Sequence, residues 1–185
     1  MDLFTDLLLV RRRPRGSGNL GKRLVRAPKL YVRDSGVLHA LLAIESLDHL
    51  LSHPVVGARW EGFVIEQLIA AASHDRLPLY FWTEKGAEVD LLFERGGRVE
   101  MLIEIKRTSA PTVSGGLRSA AADLDAAAIH GVHGVHGGSE SWPMGGGITA
   151  TSLAGLAEHL SATARSCHPH EPGSTASRLS RNFAS

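Results

Sequence analysis

The sequence is poor in most of the features that would assign a function at once. It holds one cysteine, Cys167, among 185 residues. No disulfide can therefore form within the chain, and a reducing compartment suits it. Its 20 basic and 19 acidic side chains leave a formal charge of +1, which excludes a global electrostatic footprint for nucleic acid and leaves that role to local patches. Aromatic residues make up 5%, and Trp60, Tyr80, Phe81 and Trp82 read as core residues rather than base-stacking platforms. No run approaches the roughly 20 apolar residues that span a bilayer. The opening MDLFTDLLLV is short and runs into Arg11-Arg12-Arg13, the reverse of signal-peptide order. A cytoplasmic location without membrane contact is the expectation. A G-x-x-x-x-G-K-[ST] phosphate loop is also missing: Gly16 to Lys22 is Gly-rich but lacks the spacing and the following Ser or Thr. ATP binding is not expected.

What is present is an ordinary globular composition, 43% hydrophobic and 21% charged, suited to one compact domain plus tails. Residues 1–33 do not read as self-sufficient. Leu7 to Val10 forms a strand or a helix end, a basic Gly-rich link follows, and Leu30 to Val32 reads as a short strand. Asp34 or Ser35 can cap a helix from Gly36 to about Ile44. Residues 45–56 read as a connector. The strongest helix pattern runs from about Gly57 to Ser73, with Trp60, Phe63, Val64, Leu68 and Ile69 near a 3.6-residue period. Three strands follow at Leu79–Thr83, Ala87–Glu94 and Arg98–Arg107, the last two joined at Gly96-Gly97, a hairpin signal. An Ala-rich helix from about Leu117 to Ala128, a strand over Ile129–Val135, a Gly-rich loop over Gly137–Gly147 and a short helix over Ser152–Leu160 complete the order. Beyond Ser161 large apolar residues are nearly gone, and a disordered tail is expected through residue 185.

Two runs carry chemistry: Glu88-Val89-Asp90 and Ile103-Glu104-Ile105-Lys106. Residues two apart on a strand share a face, so Glu104 and Lys106 point one way, and Glu88 with Asp90 likewise, leaving Val89 and Leu91 on the opposite face. The hairpin sets Asp90 beside Glu104. Neighbouring carboxylates repel unless a cation or a proton sits between them, and Mg²⁺ or Mn²⁺ takes one or two such ligands plus waters and phosphates. A lysine alongside can orient or deprotonate the attacking water. Asp, a gap, then Glu-x-Lys is thus the form of a metal-dependent phosphodiesterase site, with Glu61 or Glu66 on the preceding helix as a further acid. The plainer alternative is a solvated face with two ordinary surface charges.

These runs, with Lys22 to Gly36, Gly57 to Leu68 and Leu79 to Thr83, resemble in order the C-terminal domain of prokaryotic AAA-type ATPases known as domain-of-unknown-function family 4143. The resemblance covers roughly residues 5–160. It implies an α/β fold of the PD-(D/E)XK restriction-endonuclease-like type, a mixed central sheet flanked by helices, spanning residues 34–160. It assigns Asp90 and Glu104 as metal ligands, Lys106 as the catalytic lysine, Glu61 as the helix glutamate with Glu66 second, and Glu88 as a neighbour rather than a ligand. Residues 1–33 then correspond to the remnant of a winged-helix or linker segment, and the ATPase module is missing. The implied role is a DNA- or partner-binding module, with an active Mg-dependent deoxyribonuclease as the alternative. The expected partners are DNA, a separately encoded ATPase module and a second copy of the chain.

Other features fit this picture loosely. Arg11, Arg12, Arg13, Lys22, Arg23 and Lys29 form a basic N-terminal stretch that could lie along a DNA backbone, or serve as a solvated face or docking surface. His130, His133 and His136 recur every third residue, a spacing that suits neither one face of a strand nor an i, i+4 pair on a helix. Cys167-His168-Pro169-His170 resembles a ligand cluster set in the expected tail, where adventitious metal binding is the simpler reading.

Overall fold

The computed structural model describes residues 2–13, 29–82, 88–124 and 131–166. It opens with helix α1 (Asp2–Asp6) and strand β1 (Val10–Arg13), which pairs antiparallel with β2 (Lys29–Val32), Val10 facing Val32 and Arg13 facing Lys29. Helix α2 (Ser35–Leu41) is capped by Asp34, whose carboxylate accepts the Val37 amide at 2.9 Å. It ends before the expected Ile44 because Ala43 turns into left-handed backbone at φ 52°, and the amides of Ala43 and Ile44 close the turn on the Ala40 and His39 carbonyls. The expected connector over 45–56 holds a further helix, α3 (Leu47–Ser52). Ser46 supplies its cap by accepting the His49 amide at 3.1 Å, and Asp48 lies in its first turn. A short capped turn of this kind carries little hydrophobic period, so the pattern passed unseen.

Helix α4 (Val56–Ala71) buries Val64 and Leu68 of the expected stripe, together with Ile65, while Phe63 of that stripe is exposed. An antiparallel meander follows, β3 (Leu77–Trp82), β4 (Glu88–Arg95) and β5 (Arg98–Ile105). Its second turn sits at Gly96 and Gly97, with φ of 58° and 79°, the backbone that a two-residue hairpin demands. Helix α5 (Gly115–Asp123) then leads to β6 (Gly131–His136), which runs parallel to β5. The region read as a Gly-rich loop contains β7 (Trp142–Pro143). Beyond it lies β8 (Ile148–Ser152), a strand not expected from the sequence, parallel to β6 and antiparallel to β7. Its sequence, Ile-Thr-Ala-Thr-Ser, has β-branched residues but little bulk, and β6 and α6 rather than its own pattern bury it. Helix α6 (Leu153–Ser166) passes through the expected start of the tail at 161. Arg76 holds it there, donating to the Thr163 hydroxyl at 3.1 Å. The rest of the expected tail lies outside the described residues.

The six-stranded sheet has the order β3-β4-β5-β6-β8-β7. Helices α4 and α6 cover one face over Leu91, Phe93, Met101, Ile103, Ile105 and Val135. Helix α5 covers the other over Val89, Leu92, Leu102, Val132 and Ile148. The chain is therefore a mixed α/β domain of three layers. Central β5 is buried from Met101 to Ile105, which explains its nearly continuous apolar run. At the end of the sheet remote from Ile105, Arg76 is 7% exposed and forks onto Glu100 at 2.6 and 3.1 Å, while Arg95 pairs with Asp75 at 3.0 Å.

One expectation about faces is corrected. Strict alternation puts Val89 and Leu91 on one face, yet Val89 lies in the α5-side core and Leu91 in the α4/α6-side core. The cause is a bulge: opposite β3, Leu79 pairs with Leu92 but Phe81 pairs with Val89, so the register slips between them. A bulge inserts one residue and re-aims the side chains around it, and here Asp90 is among them.

Core truncation should separate the two kinds of apolar residue. Leu91→Ala, at a fully buried position (0% exposed), should cost about 2–5 kcal/mol. Leu41→Ala, at a position 74% exposed, should change stability by less than about 0.5 kcal/mol. Urea denaturation of the two variants checks both values.

Candidate functional site

Strands β4 and β5 bring the predicted residues together. Asp90 near the start of β4 and Glu104 at the end of β5 lie side by side, one step beyond the Leu91–Ile103 pair. With Glu88, Lys106, Ser114 and Gly116 they line a cleft of about 260 Å³. The N-terminus of α5 forms its far wall. Ser114 caps that helix by accepting the Leu117 amide at 3.0 Å. Gly116 passes so close to β4 that a Cβ there would sit 3.3 Å from the Glu88 amide nitrogen. Ser114 and Gly116 were not expected as site residues. The signal was present as a Ser followed by Gly-Gly before an Ala-rich helix, an N-cap pattern whose place in the cleft only the tertiary fold reveals.

The carboxylates are already engaged. Glu104, 6% exposed, receives the Lys106 ammonium on Oε1 at 2.9 Å and the Ser114 amide on Oε2 at 3.3 Å. Asp90 accepts the Ile105 amide on Oδ2 at 2.8 Å. Burial pushes the Asp90 carboxyl up to about 6, with the charges of Glu61 and Glu104 adding to it and the Ile105 bond and Lys29 opposing it. Lys29, from β2, reaches over to bind Glu88 and lies 3.5 Å from Glu61. Burial pulls its ammonium down, but the bond to Glu88 and the charges of Glu61, Glu88 and Asp90 outweigh that and hold it above the usual lysine range. Helix α4 is pinned to the same end of the sheet by the Trp60 indole, which donates to the Lys106 carbonyl at 3.1 Å.

Of the two helix acids, Glu61 stands near the cleft and Glu66 does not. The Tyr31 hydroxyl and Lys29 engage Glu61. Glu66, five residues on, is turned by about 140° around the helix. There it receives Arg11, with Nη2 at 3.0 Å, and the Arg33 Nε at 2.9 Å. Burial raises its carboxyl, but these two guanidinium groups prevail and hold it below the usual carboxylate range. Glu66 is thus engaged in ion pairs with Arg11 of β1 and with Arg33, which follows β2. The same pairing changes the reading of the basic stretch, because Arg11 and Lys29 face acids of their own chain. Arg12 is exposed, Arg13 lies in β1, and Lys22 and Arg23 fall outside the described residues.

The histidines do not converge. His133 and His136 both lie on β6. His133 bonds to Thr151 Oγ1 at 3.1 Å, while His136 takes the Gly138 amide at 2.9 Å and packs against Trp142. His130 and the Cys167–His170 run lie outside the described residues. Among the described residues no group of three or more His, Cys, Asp or Glu side chains is arranged to hold a metal ion. Two adjacent carboxylates do match what Mg²⁺ or Mn²⁺ takes from protein when waters and phosphate oxygens complete its octahedron. The Asp90 carboxyl is raised chiefly by its burial, with the charges of Glu61 and Glu104 adding to it and Lys29 opposing them.

The fold and cleft together define a three-layer α/β domain with a carboxylate–lysine site at the edge of a mixed sheet. The chain belongs to the family described as Domain of unknown function (DUF4143), whose model matches residues 56–156. A second model, Domain of unknown function (DUF8612), matches residues 1–48, so the run from Lys22 to Gly36 falls in that segment rather than in the first. Uncharacterized proteins of Mycobacterium tuberculosis (Rv2008c) and Mycobacterium bovis (Mb2031c) are each 47% identical over 130 residues. That match covers 70% of this chain and 29% of either relative. No solved structure matches. No helix among the described residues is long and apolar enough to cross a membrane.

A pH prediction follows from Asp90. Its folded value of about 6 lies above the ordinary 3.8, so the folded protein binds this proton more tightly than the unfolded chain. The resulting stability is fully present below about pH 4 and is lost as pH rises through 6, to an extent of about 3 kcal/mol at most. Asp90→Asn keeps the acceptor for Ile105 and removes the charge. Without divalent cations it should be more stable than wild type by about 1–3 kcal/mol at pH 8 and equal to it at pH 4. Urea midpoints at the two pH values test this, and equal midpoints at pH 8 would mean that the cleft charges are already balanced.

Proposed function

We propose that this chain is a nuclease-like module of the PD-(D/E)XK type that serves a prokaryotic AAA-type ATPase, encoded with it or separately, by binding DNA or that partner protein. The observation that carries the proposal is the meeting of Asp90, Glu104 and Lys106 in one cleft at the N-terminus of α5. The spacing is Asp, then Glu-x-Lys, on adjacent strands. A helix N-terminus and a lysine favour phosphate oxygens, and paired carboxylates favour Mg²⁺ or Mn²⁺ between protein and phosphate. Binding is favoured over turnover by how the groups are occupied. Lys106, the group that would deprotonate a water, keeps its ammonium on Glu104, and Glu61 is engaged by Tyr31 and Lys29. The cytoplasm, the reducing compartment that a lone cysteine suits, is the location this role requires.

One observation favours a second reading, an active Mg-dependent deoxyribonuclease. Asp90 is buried beside Glu104, with the charge of Glu61 also acting on it, a pairing of acids that a divalent cation would relieve. In that reading Asp90 and Glu104 hold the cation, which polarises the scissile phosphate when bound. Lys106 orients the attacking water, and Glu61 completes the acidic wall.

Calorimetric titration of Mg²⁺ and Mn²⁺ into wild type and an Asp90→Ala/Glu104→Ala double variant tests the cleft. Binding by wild type alone is expected, whereas no binding by folded wild type would remove the cation from the proposal. Fluorescence anisotropy with labelled DNA, followed by gel analysis, separates the two readings. The module reading expects DNA to bind uncut, with binding that survives Asp90→Ala. Divalent-dependent cleavage that Asp90→Ala and Lys106→Ala both abolish would establish the nuclease instead.

A further inference from the structure

The charge of the cleft is met in part from outside the elements that form it. Lys29 opens β2, in the segment matched by the second family model, residues 1–48, whereas Glu61, Glu88, Asp90 and Glu104 all belong to the segment matched over 56–156. Its ammonium bonds to Glu88 and lies 3.5 Å from Glu61. The rest of the β1–β2 hairpin is attached to α4 by polar contacts. Arg11 and Arg33 grip Glu66, and the Tyr31 hydroxyl bonds to Glu61. The Tyr31 ring lies flush on the helix at Gly62, where a Cβ would meet its Cδ1 at 3.2 Å. Leu30, between the two gripping residues of β2, is 39% exposed. Apart from Tyr31, which packs against the core, the contacts that attach this hairpin to α4 are ionic, and ion pairs that are partly exposed hold weakly.

We propose that the β1–β2 hairpin is an electrostatic latch on the acidic cleft: the Lys29 ammonium, held on Glu88 and 3.5 Å from Glu61, offsets the negative charge around the Asp90–Glu104 pair that would otherwise draw a divalent cation, and cation binding there is coupled to release of the hairpin. The proposal rests on the reading of the cleft as a divalent-cation site and adds its regulation. It gives the short N-terminal segment a role beyond that of a linker. A polyanion that draws Arg11, Arg33 and Lys29 away from their acids would at the same moment open the cleft to the cation.

The test uses Mn²⁺ alone as the probe, with calorimetry on the full chain. Lys29→Gln removes the competing charge and should bind Mn²⁺ about tenfold more tightly than wild type, the effect of one unit charge at a few ångströms in an intermediate dielectric. Glu66→Gln loosens the grip of Arg11 and Arg33 without altering the cleft lining, and should also tighten Mn²⁺ binding by a smaller factor. It answers the question if Lys29→Gln fails to fold. Equal or weaker binding in the folded variants, with the Asp90→Ala/Glu104→Ala control inactive, overturns the latch and leaves the cation site standing. Absence of Mn²⁺ binding from wild type and both variants overturns the cation site and the latch with it.

Discussion

The hydrogen bond from the Ile105 amide to the Asp90 carboxylate is the contact on which the cleft depends. It is made at a bulge, where β4 changes the face that it shows to the two cores, and it ties that irregularity to the last residue of the central strand. Without the slip between Val89 and Leu91, Val89 would fall on the α4/α6 side with Leu91 and Phe93, leaving Leu92 alone to supply the α5 side from β4. The bulge therefore satisfies packing and chemistry together. It feeds Val89 to the α5 side and Leu91 to the α4 side, and the acid between them accepts the Ile105 amide and lines the cleft with Glu104. Buried carboxylates of this kind are costly. The surrounding contacts, Ser114 and Lys106 on Glu104 and Lys29 on Glu61 and Glu88, are arranged to reduce that cost.

The elements with a strong period were legible from the residues. Helix α4 announced itself through Trp60, Val64 and Leu68, the hairpin through Gly96-Gly97, and β5 through its apolar run ending in Glu-x-Lys. Elements made by their neighbours were not. Strand β8 has small and polar residues and becomes a strand because β6 offers it a parallel edge. Helix α3 is one capped turn, and α6 continues past Leu160 because Arg76 reaches a threonine that the sequence offers no reason to single out. The strand acids and the lysine could be placed beside each other by counting in twos. The bulge could not be foreseen, since nothing in Glu-Val-Asp says that the pairing with β3 will slip.

Charge pairing across the chain was the least legible feature. Arg11 and Lys29 read as parts of a basic stretch, for a DNA backbone or as a solvated or docking face, and Glu61 and Glu66 read as alternative members of one site. On the helix Glu61 and Glu66 are separated by rotation, because residues five apart do not share a face. The hairpin folds back onto α4, so that Arg11, Lys29 and Arg33 meet acids of their own chain. A nearly neutral sequence can thus hide a strong internal segregation of charge.

The contacts of Arg76 carry a consequence of their own. This guanidinium joins the loop before β3 to β5 through Glu100 and to α6 through Thr163, with Arg95 and Asp75 adding a further tie. One pole of the sheet is thereby joined across three elements by a single guanidinium, while the pole bearing Asp90 and Glu104 is joined by several separate donors, the Trp60 indole and the Ile105 and Ser114 amides. Arg76 is thus a shared anchor, and its substitution would unlink a loop, a strand and a helix together.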